Sequence, residues 1–327
     1  MSSHSQNVGI FILGDVPPSR IVELSQKVEA SGFSELWFAE DYFMLSGFSS
    51  AAIALQATSS IHVGVGAVSA VVRHPAVTAM EAATLAGAYP GRFTLGIGHG
   101  VPAWTQQMHL YPKSVLTALK ESVTAVKRLL VGKMLDERGE YFSFDKVQLS
   151  HPAPELDVMT AVVGPKSIDL TAQIADGMMI SVLGGPKYVE QACAKISAQR
   201  LNNMENFRFV TYVLASIADK REVARANVRA ATAFYLNAIG PTMLTGVYGL
   251  NDRLVQLIQR GGSEAIEKEM PDEWIDWLSI AGDSEDCIRG VSNQFNAGST
   301  SVVLCVVPSE DLSGQLEILS KKVLPHF

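Results

Sequence analysis

Gly91-Arg92-Phe93-Thr94-Leu95-Gly96-Ile97-Gly98-His99-Gly100 is the stretch on which the fold reading turns. Arg92–Ile97 is a short β-rich run. It closes in glycines at 96, 98 and 100, and glycine lets a backbone turn tightly or approach a ligand closely. After Val101-Pro102 and an aromatic loop, Ser114–Leu130 reads as a long helix. A strand, a glycine-lined turn and a helix thus form one repeating unit.

Working outward, the same unit recurs. Val8–Leu13, Glu35–Ala39 and Ile61–Val68 read as strands before it, followed by helices at Ser19–Ala30, Ser50–Thr58 and Ala76–Ala86. After it come strands at Asp157–Val163, Met178–Leu183, Phe207–Ile217 and Ser301–Val307. Their helices fall at Lys166–Ala175, Pro186–Ala198, Lys220–Ala238 and Asp311–Val323. Alternation of this kind implies a parallel sheet, and several runs are apolar throughout, as when both faces are buried. Eight units exceed the five or six of an open doubly wound sheet. The expectation is an α/β fold, a closed (β/α)8 TIM barrel. Two segments interrupt the pattern. Gly132–Leu149 reads as a hairpin before strand five, and Leu250–Leu278, with Trp274 and Trp277, as a helical insertion between units seven and eight. No composition shift marks a boundary, so residues 1–327 are expected to form one domain.

Composition narrows the function. The chain has 327 residues and a net charge of −7, which argues against nucleic acid or an anionic membrane as partner. Cys193, Cys287 and Cys305 are widely spaced and form no CxxC, which suits reduced thiols in the cytoplasm. The polar Met1–Gln6 does not read as a signal peptide, and no apolar run is long enough to cross a membrane. No HxH or HExxH appears, so no metal site is expected, and neither GxSxG nor a P-loop is present.

Barrel chemistry sits where strands pass into βα loops. Gly98-His99-Gly100 follows strand four, where it is either a ligand approach or a tight turn. Gly164-Pro165-Lys166 and Gly184-Gly185-Pro186 open the helices after strands five and six. Helix starts attract anions, so the pair reads either as a phosphate cradle or as ordinary Gly-Pro turns. Glu40-Asp41-Tyr42-Phe43 follows strand two, where the carboxylates are either functional or cap and bridge a loop. His99, between glycines, is the histidine most suspected of touching a ligand.

Together these segments resemble the bacterial luciferase-like monooxygenase superfamily, and within it the coenzyme F420-dependent, methylenetetrahydromethanopterin reductase-like branch. The carriers are Leu36–Asp41, Val63–Gly66, Arg73-His74-Pro75, Gly91–Gly98, Gly164-Pro165-Lys166, Ala175-Asp176-Gly177 and Ile280–Asp283. Their order and spacing span nearly the whole chain. The resemblance implies a cofactor ring over the strand mouth, at Gly66, Ala67 and Val68 with a cis non-proline peptide nearby. It implies phosphate binding at Gly164, Pro165, Lys166, Gly184, Gly185 and Pro186, with Gly98, His99, Gly100 and Asp41 also toward the cofactor. Asp41 and His99 are the candidate catalytic side chains. Tyr42, Phe43, Phe48, Trp104, Met108 and Tyr111 are the candidate substrate wall.

The chain departs from sugar-phosphate dehydrogenase relatives, with Tyr42 and Val101 where those carry a histidine and a glutamate. Strand one offers Phe11 with no carboxylate before Asp15, which counts against methylenetetrahydromethanopterin reduction as well. The expectation is hydride transfer between coenzyme F420 and a small apolar or aromatic substrate, in a homodimer or larger homo-oligomer. Two alternatives stand beside it: an FMN-dependent monooxygenase using dioxygen, and a barrel that has lost catalysis.

Overall fold

The computed structural model describes residues 6–201 and 204–327. The polar start, Met1 to Ser5, lies outside the described residues. In chain order the elements are β1 (Asn7–Ile12), α1 (Ile21–Ala30), β2 (Glu35–Phe38), α2 (Gly47–Ala57), β3 (His62–Ser69), α3 (Pro75–Ala88), β4 (Phe93–Gly98), α4 (Pro102–Gln107) and α5 (Val115–Leu130). The hairpin β5 (Leu135–Arg138) and β6 (Ser143–Val147) follows, then β7 (Val158–Ala161), α6 (Pro165–Ile174), β8 (Gly177–Ile180), α7 (Pro186–Gln199), β9 (Arg208–Ile217) and α8 (Arg221–Ile239). The last stretch holds α9 (Met243–Gly246), α10 (Asn251–Glu269), α11 (Asp272–Leu278), β10 (Ser279–Gly282), α12 (Ser284–Asn296), β11 (Ser301–Val306) and α13 (Leu312–Lys322).

The parallel strands run β9-β11-β1-β2-β3-β4-β7-β8, and pairing of β8 with β9 closes an eight-stranded barrel. The closing register sets Gly177 against Arg208 and Ile180 against Thr211. The expected hairpin is present. The expected insertion is helical but ends in a short strand that sequence reading missed, β10, which pairs with the upper half of β9 from Leu214 to Ile217. Four residues between two helices give too short a run to show any period.

Side chains alternate across each strand. Val302, Leu304 and Val306 of β11 face the helices, as do Phe209, Val213 and Ala215 of β9. Val303 and Cys305, with Val210, Tyr212 and Leu214, fill the interior. Both faces are apolar because helices cover the outside and side chains plug the inside, which explains the runs without polar alternation. Helix starts are set by local chemistry. Ser114 caps α5 by accepting from Thr117 N at 3.2 Å, and Asp283 caps α12 by accepting from Asp286 N at 3.0 Å. A proline opens each of α3, α4, α6 and α7, where its missing N–H removes no hydrogen bond.

Candidate active site

The barrel interior is filled from the N-terminal end upward, and the filling stops short of the mouth. At the floor, Glu35, His62, Thr94, Arg208 and Ser301 form a hydrogen-bonded plug. Above it lie Trp37, Met159, Met179 and Tyr212, all buried. Glycines on β3 and β4 make room for them. A β-carbon on Gly64 would overlap the Trp37 indole, one on Gly96 the Met179 sulfur, and one on Gly66 the Tyr212 hydroxyl.

The uppermost layer is built from small residues. The missing Gly98 side chain faces Ala161 at 3.3 Å and Ala67 at 3.8 Å. Gly66 and Ala67 are joined by a cis peptide, where the β3–β4 register shifts between Val65 and Val68. Ala39 completes β2 at this level. Ala67, Gly98 and Ala161 thus set small residues side by side at the upper ends of three neighbouring strands. Beneath them, the Tyr212 hydroxyl is wholly buried and has no hydrogen-bond partner among the described residues.

The two carboxylates after β2 separate in role. Glu40 is buried and bonded. It takes a two-point ion pair from Arg73, accepts from the Tyr42 hydroxyl at 2.9 Å and from Gly47 N at 3.3 Å. Arg73 also meets Glu81 at 3.2 Å. Glu40 therefore braces the loop, as the salt-bridge reading of this pair anticipated. The Asp41 backbone carbonyl accepts from Met44 N at 2.7 Å, while its carboxylate has no hydrogen-bond partner among the described residues and packs on Gly14. Burial, then the neighbouring charges of Asp15 and Glu40, pushes its pKa above the ordinary aspartate value.

His99 is held in place. Its Nε2 lies 3.0 Å from Ser167 Oγ in the first turn of α6. Burial holds its pKa below the usual histidine range, against the Val115 backbone, which favours protonation. The imidazole therefore ties the loop after β4 to the α6 start.

The two Gly-Pro helix starts differ. At α6, a side chain on Gly164 would meet open space, no side chain caps the helix, and Lys166 is exposed. At α7, Gly185 is covered by the Trp277 carbonyl and the Tyr248 hydroxyl. Tyr248 also accepts from Lys187 N at 3.2 Å. Its ring stacks on Trp277 at 5.2 Å, with Lys187 Nζ beside both rings. The two helix starts of the expected phosphate cradle, Gly164–Lys166 and Gly184–Pro186, are therefore not equally open. Tyr248, between α9 and α10, already occupies one donor of the second helix start, and α6 is the more open one.

The rim carries Tyr42 within 6.3 Å of Phe43 and 6.2 Å of Trp104, ring to ring. Phe43 and Tyr111 are exposed, and Met108 ends α4. Phe48 does not belong to this wall. It is buried in α2 against Phe93 and under Arg73. The periodic Phe48-Ala51-Ala54-Leu55 pattern is the inner face of α2, so Phe48 is core.

Sequence reading missed Tyr212, Tyr235 and Tyr248. Tyr212 lay in an apolar strand, where a single polar tip is the one available signal. Tyr235, on α8, is half-buried and packs with the interior cluster that holds Phe11 and Cys305. Burial, then Cys305, Asp41 and Asp15, raises its pKa. Among the described residues, no cluster of three or more His, Cys, Asp or Glu is arranged to hold a metal.

Fold and mouth together define an α/β-barrel enzyme with its candidate site at the C-terminal strand ends. The chain belongs to the luciferase-like monooxygenase family, whose family model matches residues 4–301. It is 28% identical over 326 residues to 5,10-methylenetetrahydromethanopterin reductase of Archaeoglobus fulgidus, covering 95% of this chain and 98% of that protein. It is 25% identical over 336 residues to F420-dependent glucose-6-phosphate dehydrogenase of Nakamurella multipartita, covering 95% and 93%. The solved coenzyme F420-dependent tetrahydromethanopterin reductase of Methanopyrus kandleri shares the fold, with a TM-score of 0.86 at 24% identity over 98% of this chain and 99% of that one. Among the described residues, no helix is long and apolar enough to cross a membrane.

Proposed function

We propose that this protein is an oxidoreductase moving a hydride between coenzyme F420 and a small apolar or aromatic organic substrate, as one barrel domain in a homo-oligomer. The observation that carries the reading is the group of small residues Ala67, Gly98 and Ala161 beside the open α6 start. Together they fit a flat ring joined to an anionic tail. Relatives named for coenzyme F420 support the choice of cofactor.

When bound, the deazaflavin supplies or accepts the hydride. The protein contributes position and protons. Backbone N–H groups of Lys166 and Ser167 and the Lys166 ammonium hold the phosphate. His99 keeps Ser167 and the loop after β4 in register. Asp41, whose pKa is raised, retains a proton closer to neutrality than an ordinary aspartate and donates it to the substrate. Tyr42, Phe43, Trp104, Met108 and Tyr111 exclude water and orient an apolar ligand. The family's own description favours one second reading, reduced FMN with dioxygen.

Titration with coenzyme F420 and, separately, FMN, followed by tryptophan fluorescence, tests this. Saturable binding of coenzyme F420 with FMN much weaker is the expected result. Preference for FMN moves the protein to oxygen chemistry, and binding of neither sinks the redox assignment.

A further inference from the structure

The β5–β6 hairpin joins no strand of the barrel sheet. A lone two-stranded hairpin is marginal in water, so its contacts with the barrel's helices hold it. Leu135, Phe142 and Phe144 are buried in the core. The tip is fixed by the Glu121 carboxylate of α5. It accepts from Glu140 N at 2.8 Å, Tyr141 N at 3.0 Å and Phe142 N at 3.1 Å.

So anchored, the tip grips two helix starts. His74, which caps α3, donates from Nε2 to the Ser143 carbonyl at 3.3 Å, and its ring meets Phe142 at 5.8 Å and Phe144 at 5.0 Å. The Tyr141 hydroxyl accepts from Ser114 N at 2.7 Å. Ser114 caps α5 and ends the loop after β4, so its N–H stands outside the helix ladder. The next residue, Val115, lies beside His99. Its backbone favours protonation of that imidazole, whose Nδ1 is buried with no hydrogen-bond partner among the described residues. Nε2 of the same ring lies 3.0 Å from Ser167 Oγ at the α6 start. A chain of neighbours thus runs from Tyr141 through Ser114, Val115 and His99 to Ser167.

We propose that Tyr141, at the tip of the hairpin, is a positioning residue for the cofactor, acting on the α6 start through Ser114 and His99. This rests on the reading of the α6 start as the phosphate site. Tyr141 fixes where α5 begins. The α5 start in turn sets the Val115 backbone against His99, and His99 sets the side chain of Ser167. Ser167 belongs to the first turn of α6, whose N–H groups meet the anion. Hydrogen bonds weaken steeply when misaligned, so a small displacement passed along this chain is read as weaker cofactor binding. The hairpin is then more than a cover on α5, because it sets the alignment of a site several residues removed from it.

The test is a double-mutant cycle on coenzyme F420 binding by the full chain, followed by tryptophan fluorescence. Tyr141→Phe keeps the ring and deletes the hydroxyl. It should raise the dissociation constant about three- to tenfold, the range set by one lost neutral hydrogen bond. In the His99→Ala background the same substitution should change it less than about 1.5-fold, because the link is already cut. Arg128→Gln breaks the surface ion pair with Glu137 on the hairpin stem and should stay within about twofold of the natural chain. A second readout needs no cofactor. Tyr141→Phe should shift the imidazole nitrogen NMR signal of His99, identified by its loss in His99→Ala, and Arg128→Gln should leave it in place. Equal factors with and without His99, an unchanged dissociation constant in Tyr141→Phe, a change as large in Arg128→Gln, or an unmoved His99 signal each overturns the inference. If coenzyme F420 does not bind the natural chain, the redox reading fails instead, and the His99 signal decides the role of Tyr141.

Discussion

The floor and the mouth of this barrel are built on opposite principles. At the floor every polar group is used. Glu35 accepts from Trp37 Nε1 at 2.8 Å, from Ser301 Oγ at 2.9 Å and from Arg208 at 2.5 Å. Arg208 also donates to Thr94 Oγ1 at 3.2 Å. Thr94 meets His62 Nε2 at 2.7 Å, and His62 Nδ1 reaches the Gly91 carbonyl at 3.2 Å. The Gly91 carbonyl can only accept, so Nδ1 carries a proton and donates to it. Burial, then Arg208, lowers the His62 pKa. Toward the mouth, the Tyr212 hydroxyl beneath the layer of small residues and the Asp41 carboxylate keep unspent hydrogen-bonding capacity. A saturated network contributes to a unique fold, whereas unpaired polar groups cost stability and persist where a ligand uses them.

That contrast can be broken from either end. The largest effect is expected at the floor. Arg208→Met leaves Glu35, 2% exposed, without its cation, and should cost about 3–5 kcal/mol in urea unfolding. A loss under about 1 kcal/mol would mean the plug is not a clamp.

Next comes Asp41. Asp41→Asn should lower kcat/KM about 100-fold, the scale of a lost general acid, while stabilising the fold. The sign follows from its raised pKa. The folded state holds the Asp41 proton more tightly than the unfolded chain, so the penalty for ionising it is full above the folded pKa and vanishes below the unfolded one. The variant should therefore gain melting temperature at pH 8 and little at pH 3. A loss at pH 8 would contradict the unpaired carboxylate.

Gly66→Ala should cost about 1–3 kcal/mol, because its methyl meets the Tyr212 hydroxyl. The Tyr212→Phe background should recover part of that, since the next contact is ring carbon at 2.7 Å. Additive losses in the double-mutant cycle would show that the two residues do not touch. The smallest effect is Tyr212→Phe alone. Removing an unpartnered buried hydroxyl should leave stability unchanged or raise it by about 1 kcal/mol. A clear loss in thermal unfolding would reveal a bond that Tyr212 already makes.

Much of the fold was legible because local chemistry encodes it. Apolar runs, glycine-rich strand ends and prolines at helix starts are near-neighbour signals, and they located all eight barrel strands and the hairpin. The four-residue β10 carried no such signal. The candidate site was legible as a set of loops but not as an arrangement. Glu40 and Asp41 are adjacent and look equivalent, yet Arg73 occupies one and leaves the other free. Gly164-Pro165 and Gly185-Pro186 are near-copies, yet Tyr248, between α9 and α10, reaches back to cover only the second.

The sequence by itself determined the class of fold and the family, because each rests on patterns repeated along the chain. Only the tertiary structure decided which groups are spent and which are free. Glu35 and Arg208 stand 173 residues apart, and Gly66 and Tyr212 likewise come from distant strands. Whether two such groups meet is fixed by barrel closure and register, which no local pattern records.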